Sequence, residues 1–310
     1  MSPILSVCIP TFSNPEGVKR TLEDLISEAA SSGFIDRIEF CIADNSENED
    51  TEKLITALQL ASTAQINYYR HGENIGYDRN VDAVLKLAHG KYCWLLSDNE
   101  NVAQGNFAQI FSEVETCDVA LVIICPGTVK AERLKTYQNL ESAIVENDWW
   151  IPGGLVSRNI IKRSLIPKNL SPYFGNYWLH LSITTQIGGD NPVMFIGEKF
   201  IDDPNGVVKW AKNGTTFLTY LYLINIIKEL SQPPYTHSFV KTLVRKMQLG
   251  IPRNTLSAKL YGLSITRDNL KLIYKATHGN PLIMVLSVGA ILIPTVLIKY
   301  AKRIKHYLGN

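Results

Sequence analysis

The sequence has no Cys-x-x-Cys pair, no glycine-rich phosphate loop of the G-x-G-x-x-G or G-x-x-x-x-G-K-[ST] form and, after residue 232, almost no acid. Each absence excludes something. The five cysteines (Cys8, Cys41, Cys93, Cys117 and Cys125) are scattered singly, and the first three lie inside apolar runs. This excludes a disulfide framework or a thiolate zinc site and reads as small core residues in a reducing compartment. Without the glycine loops, the usual dinucleotide and P-loop modes of binding are excluded. The opening MSPILSVCIP lacks a basic n-region and a long apolar core, so no signal peptide is expected.

The shortage of acid is local. Residues 233–310 carry twelve Lys and Arg against Asp268 alone, whereas residues 1–232 carry 28 acids against 19 bases, so the overall +2 hides an acidic body and a basic tail. Such asymmetry implies attachment to an anionic surface, either membrane or nucleic acid. The tail has no recognisable nucleic-acid reading motif, so no nucleic-acid partner is expected. It does contain an 18-residue uncharged run over 281–298, interrupted by Gly289 and Pro294 and followed by Lys299, Lys302, Arg303 and Lys305. That length is the lower limit for a membrane span. With the body in the cytoplasm, one crossing would place those four bases outside, against the positive-inside tendency. An interfacial or re-entrant helix at an anionic membrane surface is expected instead, with a buried core helix as the alternative.

What the chain does have is a globular composition, 45% hydrophobic and 19% charged, and a clear alternation of elements. Strand-like runs stand at 5–10 (LSVCIP), 38–43 (IEFCIA), 66–69 and 92–96 (YCWLL). Helical spacing of apolar residues separates them at 16–30, 51–60 and 77–88, the last with Val81, Val84, Leu85 and Ala88 on one face. Strands alternating with helices predict a parallel sheet covered on both faces, with ligands bound beyond the carboxyl ends of the strands. Three of those ends are polar: Pro10-Thr11, Asp44-Asn45-Ser46 and Asp98-Asn99-Glu100. Asp98 and Glu100 are two residues apart, so in extended geometry both carboxylates face one way. Two hard oxygen ligands there suit Mg²⁺ or Mn²⁺ shared with a substrate's phosphates, the alternative being a plain polar turn. Asp44 has its own alternative, as a cap on the segment that follows.

Three blocks in order, CIPTFSNP, IADNSENED and RHGENIGYDRNVDAVLKLAHGKYCWLLSDNE, resemble family 2 glycosyltransferases of the GT-A fold over about residues 4–103. Ser13 stands where that pattern commonly has Asn, and Glu100 replaces the last Asp of a D-x-D metal motif. The bacterial O-antigen and capsule enzymes are the most similar branch. The resemblance implies an α/β GT-A fold, a mostly parallel doubly wound sheet, over 1–215, with a basic helical membrane-attachment region over 216–310. It implies a nucleotide-sugar donor held by Pro10, Thr11, Phe12, Asp44, Asn45, Asn74, Gly76, Arg79, Asn80 and Asp98, with Asp44 accepting from the nucleobase and Arg79 and Asn80 near ribose or phosphate. It implies a Mn²⁺ or Mg²⁺ ion on Asp98 and Glu100, and inversion by single displacement. The acceptor it implies is a saccharide linked to polyprenyl diphosphate, at the cytoplasmic face of the plasma membrane.

Beyond residue 103 the pattern thins. A buried strand is expected over 119–125 (VALVIIC), a hairpin-like strand pair over 193–201 around Gly197, and helices over 216–230, 239–249 and 256–263. Trp149 and Trp150 offer flat faces of the kind that stack on sugar rings, and Gly153-Gly154 permits close backbone approach, which marks an acceptor loop; a Trp pair also serves as core. The family's catalytic base is an Asp or Glu near the start of a following helix, and no such pair occurs here. His180 is the nearest group with a suitable pKa. Asp190 competes with it, and Glu146 and Asp148 stand further off. A nucleotidyltransferase would need a basic glycine-rich loop after the first strand, which residues 11–17 lack; a noncatalytic sugar-nucleotide binder is the other rival.

Overall fold

The computed structural model describes residues 2–98, 101–102, 105–125, 134–147, 156–197, 201–202 and 215–300. Glu100, Asp148, Trp149, Trp150, Gly153 and Gly154 lie outside the described residues. The chain forms two compact units, residues 1–175 with 179–205 and residues 176–178 with 206–310.

The first unit opens with β1 (Leu5–Thr11), α1 (Pro15–Ser31), β2 (Ile38–Asp44), α2 (Asp50–Ala61), β3 (Gln65–Arg70), α3 (Tyr77–Leu87) and β4 (Tyr92–Leu95). A short β5 (Asn101–Val102), α4 (Asn106–Thr116), β6 (Leu121–Ile124), β7 (Leu134–Tyr137), α5 (Leu140–Asn147), β8 (Asn159–Lys162), α6 (Leu179–Gly188), β9 (Val193–Ile196) and β10 (Ile201–Asp202) complete it. Eight strands join in the order β3-β2-β1-β4-β8-β6-β9-β7, and β5 pairs with β10 apart from them. The β3-β2-β1-β4 half is parallel, as the alternation predicts. Beyond β4 the sheet is mixed: β8 runs antiparallel to both β4 and β6, and β7 antiparallel to β9. The hairpin expected over 193–201 does not form. β9 pairs in parallel with β6, while β10 leaves for β5.

Period-two alternation divides the sheet into two faces. Val7, Ile9, Phe40, Ile42 and Trp94 face α1 and α4, whose Val18, Leu22, Leu25, Phe107 and Phe111 are buried among them. Phe34 stacks on Phe111 with ring centroids 4.4 Å apart and meets Phe107 edge-on at 5.3 Å, geometries that aromatic quadrupoles favour. On the other face Cys8, Cys41 and Cys93 are fully buried. Burial and its two thiol neighbours push Cys8 well above the usual thiol range. All five cysteines are free and buried.

The amino edge of the sheet is closed by one carboxylate. Glu39, with no exposed surface, accepts on Oε1 from the Ser6 hydroxyl at 2.5 Å, the His89 amide at 2.5 Å and the Gly90 amide at 3.0 Å. On Oε2 it accepts from Asn67 Nδ2 at 2.7 Å and Gln65 Nε2 at 3.2 Å. These bonds lock the starts of β1, β2, β3 and β4 together.

The second unit is helical: α7 (Thr215–Glu229), α8 (His237–Gln248), α9 (Ile251–Leu260), α10 (Arg267–Thr277) and α11 (Pro281–Leu292). The 281–298 run is not one helix. It breaks after Leu292, with Ile293 extended and Pro294 next, before helical turns resume over 295–300. Proline supplies no N–H and disfavours helix in the residue before it, which accounts for the break. Among the described residues no helix is long and apolar enough to cross a membrane. Two lysines of this unit are structural. Lys228 donates to the carbonyls of Lys275, Ala276 and His278 and so caps α10; its desolvation and the nearby Lys275 charge lower its pKa. Lys259 does the same for α11.

Candidate active site at the carboxyl edge of the sheet

The ends of β1, β2, β3 and β4 converge on the edge opposite Glu39. Thr11, 2% exposed, donates its hydroxyl to Asp98 Oδ2 at 2.7 Å, and Asn14 Nδ2 donates to the Asp98 carbonyl at 3.1 Å. The first helical turn of α1 is pressed onto the same carbonyl. A Cβ on Gly17 would fall inside van der Waals contact with Asn14 and with Asp98 O, so only glycine fits there. Residues 87 and 84 positions apart in sequence thereby fix Asp98 at the strand end.

The turn after β2 is built as tightly. Asp44 has no exposed surface. Its Oδ1 accepts from the Ser46 amide at 2.8 Å and from the Ser46 hydroxyl, and its Oδ2 accepts from the Tyr68 hydroxyl at 2.9 Å. Burial first, and then this bond to Asp44, push the Tyr68 phenol upward, so it stays protonated and donates. Both Asp44 carboxylate oxygens are thus bonded within the fold, and the N-cap position of α2 is Glu49. The next residue differs. Asn45 is 3% exposed, and its Nδ2 donates to the Gly76 carbonyl at 3.2 Å, but its Oδ1 is buried with no hydrogen-bond partner. An orphaned buried acceptor is costly and calls for a donor from elsewhere.

Around these, Ser13 takes φ 50° and donates its amide to Ser46 Oγ at 2.9 Å, and Phe12 stands 50% exposed. Asn80, assigned toward ribose or phosphate, is 3% exposed and spent on the fold: Nδ2 donates to Thr11 O at 3.1 Å and Oδ1 meets His71 Nε2 at 3.1 Å. Asn74 Oδ1 accepts from the Gly76 amide at 3.0 Å, and Gly76 has φ 87°, a conformation glycine permits. Arg79 is exposed on α3 and Pro10 half-buried on β1.

The two residues weighed as catalytic base are placed apart. Asp190 is exposed in the turn that leads into β9. Since β9 runs parallel to β6 and so points the same way as β4, this turn lies at the amino edge, away from Asp98. His180 lies in the first turn of α6 at the carboxyl edge but is only 3% exposed, its Nδ1 3.5 Å from the Tyr77 hydroxyl. Burial and the Asp78 charge raise the Tyr77 pKa. Buried in this way, His180 packs the junction of α3 and α6. Glu146 is exposed and paired with Lys135 at 2.5 Å.

One residue at this edge was not singled out from the sequence. Arg158 precedes β8, whose antiparallel course puts its start beside the ends of β4 and β6. Its charge counters the upward push that burial gives the Cys125 thiol at the end of β6. Its loop is anchored because Trp94 Nε1 donates to Ser157 O at 2.9 Å and the Ser97 amide donates to Ser157 Oγ at 3.3 Å. The available signal was a lone base just before a short apolar run.

Among the described residues no three His, Cys, Asp or Glu side chains gather as a metal cage. The donor chemistry fits a different kind of site, one hard carboxylate at a strand end with its companion Glu100 outside the described residues. Mg²⁺ and Mn²⁺ are commonly held that way, by one or two carboxylates together with substrate phosphates.

Abequosyltransferase RfbV of Salmonella typhimurium is 32% identical over 105 residues, which is 34% of this chain and 31% of that protein. The matched stretch thus spans about a third of each. S. aureus TarS in complex with UDP superposes with a TM-score of 0.60 at 13% identity, over 99% of this chain and 92% of that one. A mannosyltransferase from Pyrobaculum calidifontis, in complex with GDP-Man and Mn²⁺, gives a TM-score of 0.50 at 14% identity, over 99% of this chain and 85% of the other. At such identities the likeness is one of fold, that of the GT-A glycosyltransferases. The pattern of Glycosyl transferase family 2 matches residues 6–176, more than half the chain and all four strand ends described above, and the chain belongs to that family.

Proposed function

We propose that this chain transfers a sugar from a nucleoside-diphosphate donor to a saccharide acceptor, and that the reaction takes place at the carboxyl edge of β1, β2 and β4. The observation that carries this reading is the clamp of Thr11 on Asp98 at 2.7 Å, which holds a carboxylate in place at the site where α/β sheets bind ligands. The proteins of like fold that are bound to UDP and to GDP-Man with Mn²⁺ support a nucleotide-sugar donor.

In this reading Asn45 Oδ1 accepts an N–H of the nucleobase, while Asp44 shapes the turn that presents it. Phe12 covers the base, and Arg158 faces the diphosphate. Asp98 and Glu100 would hold Mn²⁺ or Mg²⁺, which would supply Lewis-acid stabilisation of the departing phosphate. The acceptor hydroxyl forms the new bond to the anomeric carbon as the bond to the diphosphate breaks, with inversion. Its proton passes to a group other than the buried His180 or the distant Asp190. Trp149, Trp150, Gly153 and Gly154 form the acceptor side. The acceptor is a lipid-linked saccharide of cell-surface polysaccharide synthesis, and the second unit attaches the enzyme peripherally to the cytoplasmic membrane face.

Thermal unfolding with a panel of nucleoside diphosphates, with and without Mn²⁺, tests the donor half of this reading, because a ligand that binds the native state raises apparent stability. At least one diphosphate should protect the protein only when the metal is present, and Asp98→Ala should remove that protection without lowering the unliganded midpoint by more than a few degrees. If no diphosphate protects, or if Asp98→Ala is protected equally, the reading fails.

A further inference from the structure

The outer side of α11 and the turns after it form an apolar stripe. Leu282, Val285, Leu286, Leu292, Val296 and Leu297 stand there with exposures from 48% to 75%. The inner side, Ile283, Ser287 and Ala290, is buried. No charge occurs from 281 to 298. A patch of this extent on a water-soluble surface marks a binding face.

The break in the stripe leaves no helix-end carbonyl without a donor. After Leu292 the helix ends, and the carbonyls of Ala290, Ile291 and Ile293 would have no main-chain donor. Lys259 of α9 donates to all three. Lys228 serves the end of α10 in the same way, and at a lipid surface such bonds also avoid the cost of unsatisfied carbonyls. The helix itself is about 18 Å long at ~1.5 Å per residue, against about 30 Å of hydrocarbon, so it cannot cross.

From this geometry we infer that the α11 stripe lies in the plane of an anionic lipid surface, with its apolar side chains among the acyl chains and Lys241, Arg253 and Lys299, all exposed, at the headgroups. Charge selects this occupant. A second copy would bring one strongly basic surface against another, since twelve bases face one acid in 233–310. Residues 301–310 hold three of those twelve bases and too few apolar side chains to cover the stripe. Exposed Tyr261 and Tyr300 suit the boundary between headgroup and chain. This deepens the membrane attachment proposed above and names the face that makes it.

The test is flotation of the full chain with vesicles of phosphatidylglycerol and phosphatidylethanolamine, and with pure phosphatidylcholine vesicles, at low and high salt. Leu292→Ser/Val296→Ser serves as the variant, since both side chains are 75% exposed and their loss leaves the fold intact. The wild type should float with the anionic vesicles and partly release at high salt, and the variant should bind at least tenfold more weakly. Absence of flotation, flotation unchanged in the variant, or a wild-type dimer that the variant dissolves would each overturn the inference. Nucleotide protection measured on the same samples is expected to be equal in both proteins, so failure of the membrane face is distinguishable from failure of the donor site.

Discussion

Replacing Glu39 sets two large effects against each other. Its carboxylate is wholly buried, which costs several kcal/mol in a low-dielectric setting. Against this stand five donors from three other sequence segments, Ser6, Gln65, Asn67 and the amides of His89 and Gly90. Hydrogen bonds to a charged group contribute about 1.5–3 kcal/mol each, roughly twice a neutral bond. In Glu39→Gln the side-chain oxygen can keep the three donors now on Oε1, while the Asn67 and Gln65 amides turn over to accept from the new NH₂. Charge assistance is lost but few partners are, so the cost is about 2 kcal/mol. In Glu39→Ala the Ser6 hydroxyl loses its acceptor outright, the Gly90 amide keeps only Ser6 Oγ, and a cavity opens, for a cost of about 4 kcal/mol. Against a domain stability of about 5–15 kcal/mol, the alanine variant loses much of its margin. Urea unfolding, with hydrogen exchange at β1 and β2 amides as the local readout, measures both variants. If Glu39→Gln is as stable as the wild type, desolvation of the carboxylate outweighs its donors, and the reasoning is refuted.

Two further outcomes follow from packing. Gly17→Ala places a Cβ into Asn14 and the Asp98 carbonyl; it should lower stability by about 1–3 kcal/mol and weaken metal-dependent nucleotide protection, and unchanged protection would separate the α1 contact from the Asp98 geometry. All five cysteines are buried, and burial raises the pKa of Cys8 and Cys125, so a thiol-reactive disulfide reagent at mildly alkaline pH should find no fast-reacting group until denaturant is added; rapid labelling of one native thiol would contradict the packing.

The parallel half of the sheet is legible because its strands carry unbroken apolar runs and the helices between them a clear 3.6 period. β7 (LKTY) and β8 (NIIK) are not, since neither is an unbroken apolar run. The reversed course of β8 is set by its pairing with Trp94 and Cys93, more than sixty residues earlier. The hairpin expected at 193–201 failed for a related reason: β9 is buried at every position, and such a strand is claimed by a central place in the sheet instead of by its sequence neighbour. Glu39 left no trace in the pattern either, as one polar residue inside an apolar strand is locally indistinguishable from an exposed one.

The same limit explains why spacing marks an edge of the sheet but not the part each residue there plays. Polar groups at strand ends are a local signal, so Thr11, Asp44, Asn45 and Asp98 all stand out. Which of them serves the ligand and which serves the fold depends on partners far away in sequence. Asp44 is consumed by Ser46 and by Tyr68, 24 residues on, and Asn80 by Thr11, 69 residues back. Asn45, one position from Asp44, keeps an acceptor with no partner because its other end is drawn to the Gly76 carbonyl across the turn. Adjacent residues of similar shape thus differ in how fully they are bonded, and the difference lies in the register of β2 against β1 and β3, which fixes the face each side chain meets. Sequence spacing locates the edge of such a sheet; the pairing of its strands decides which groups remain there for a substrate.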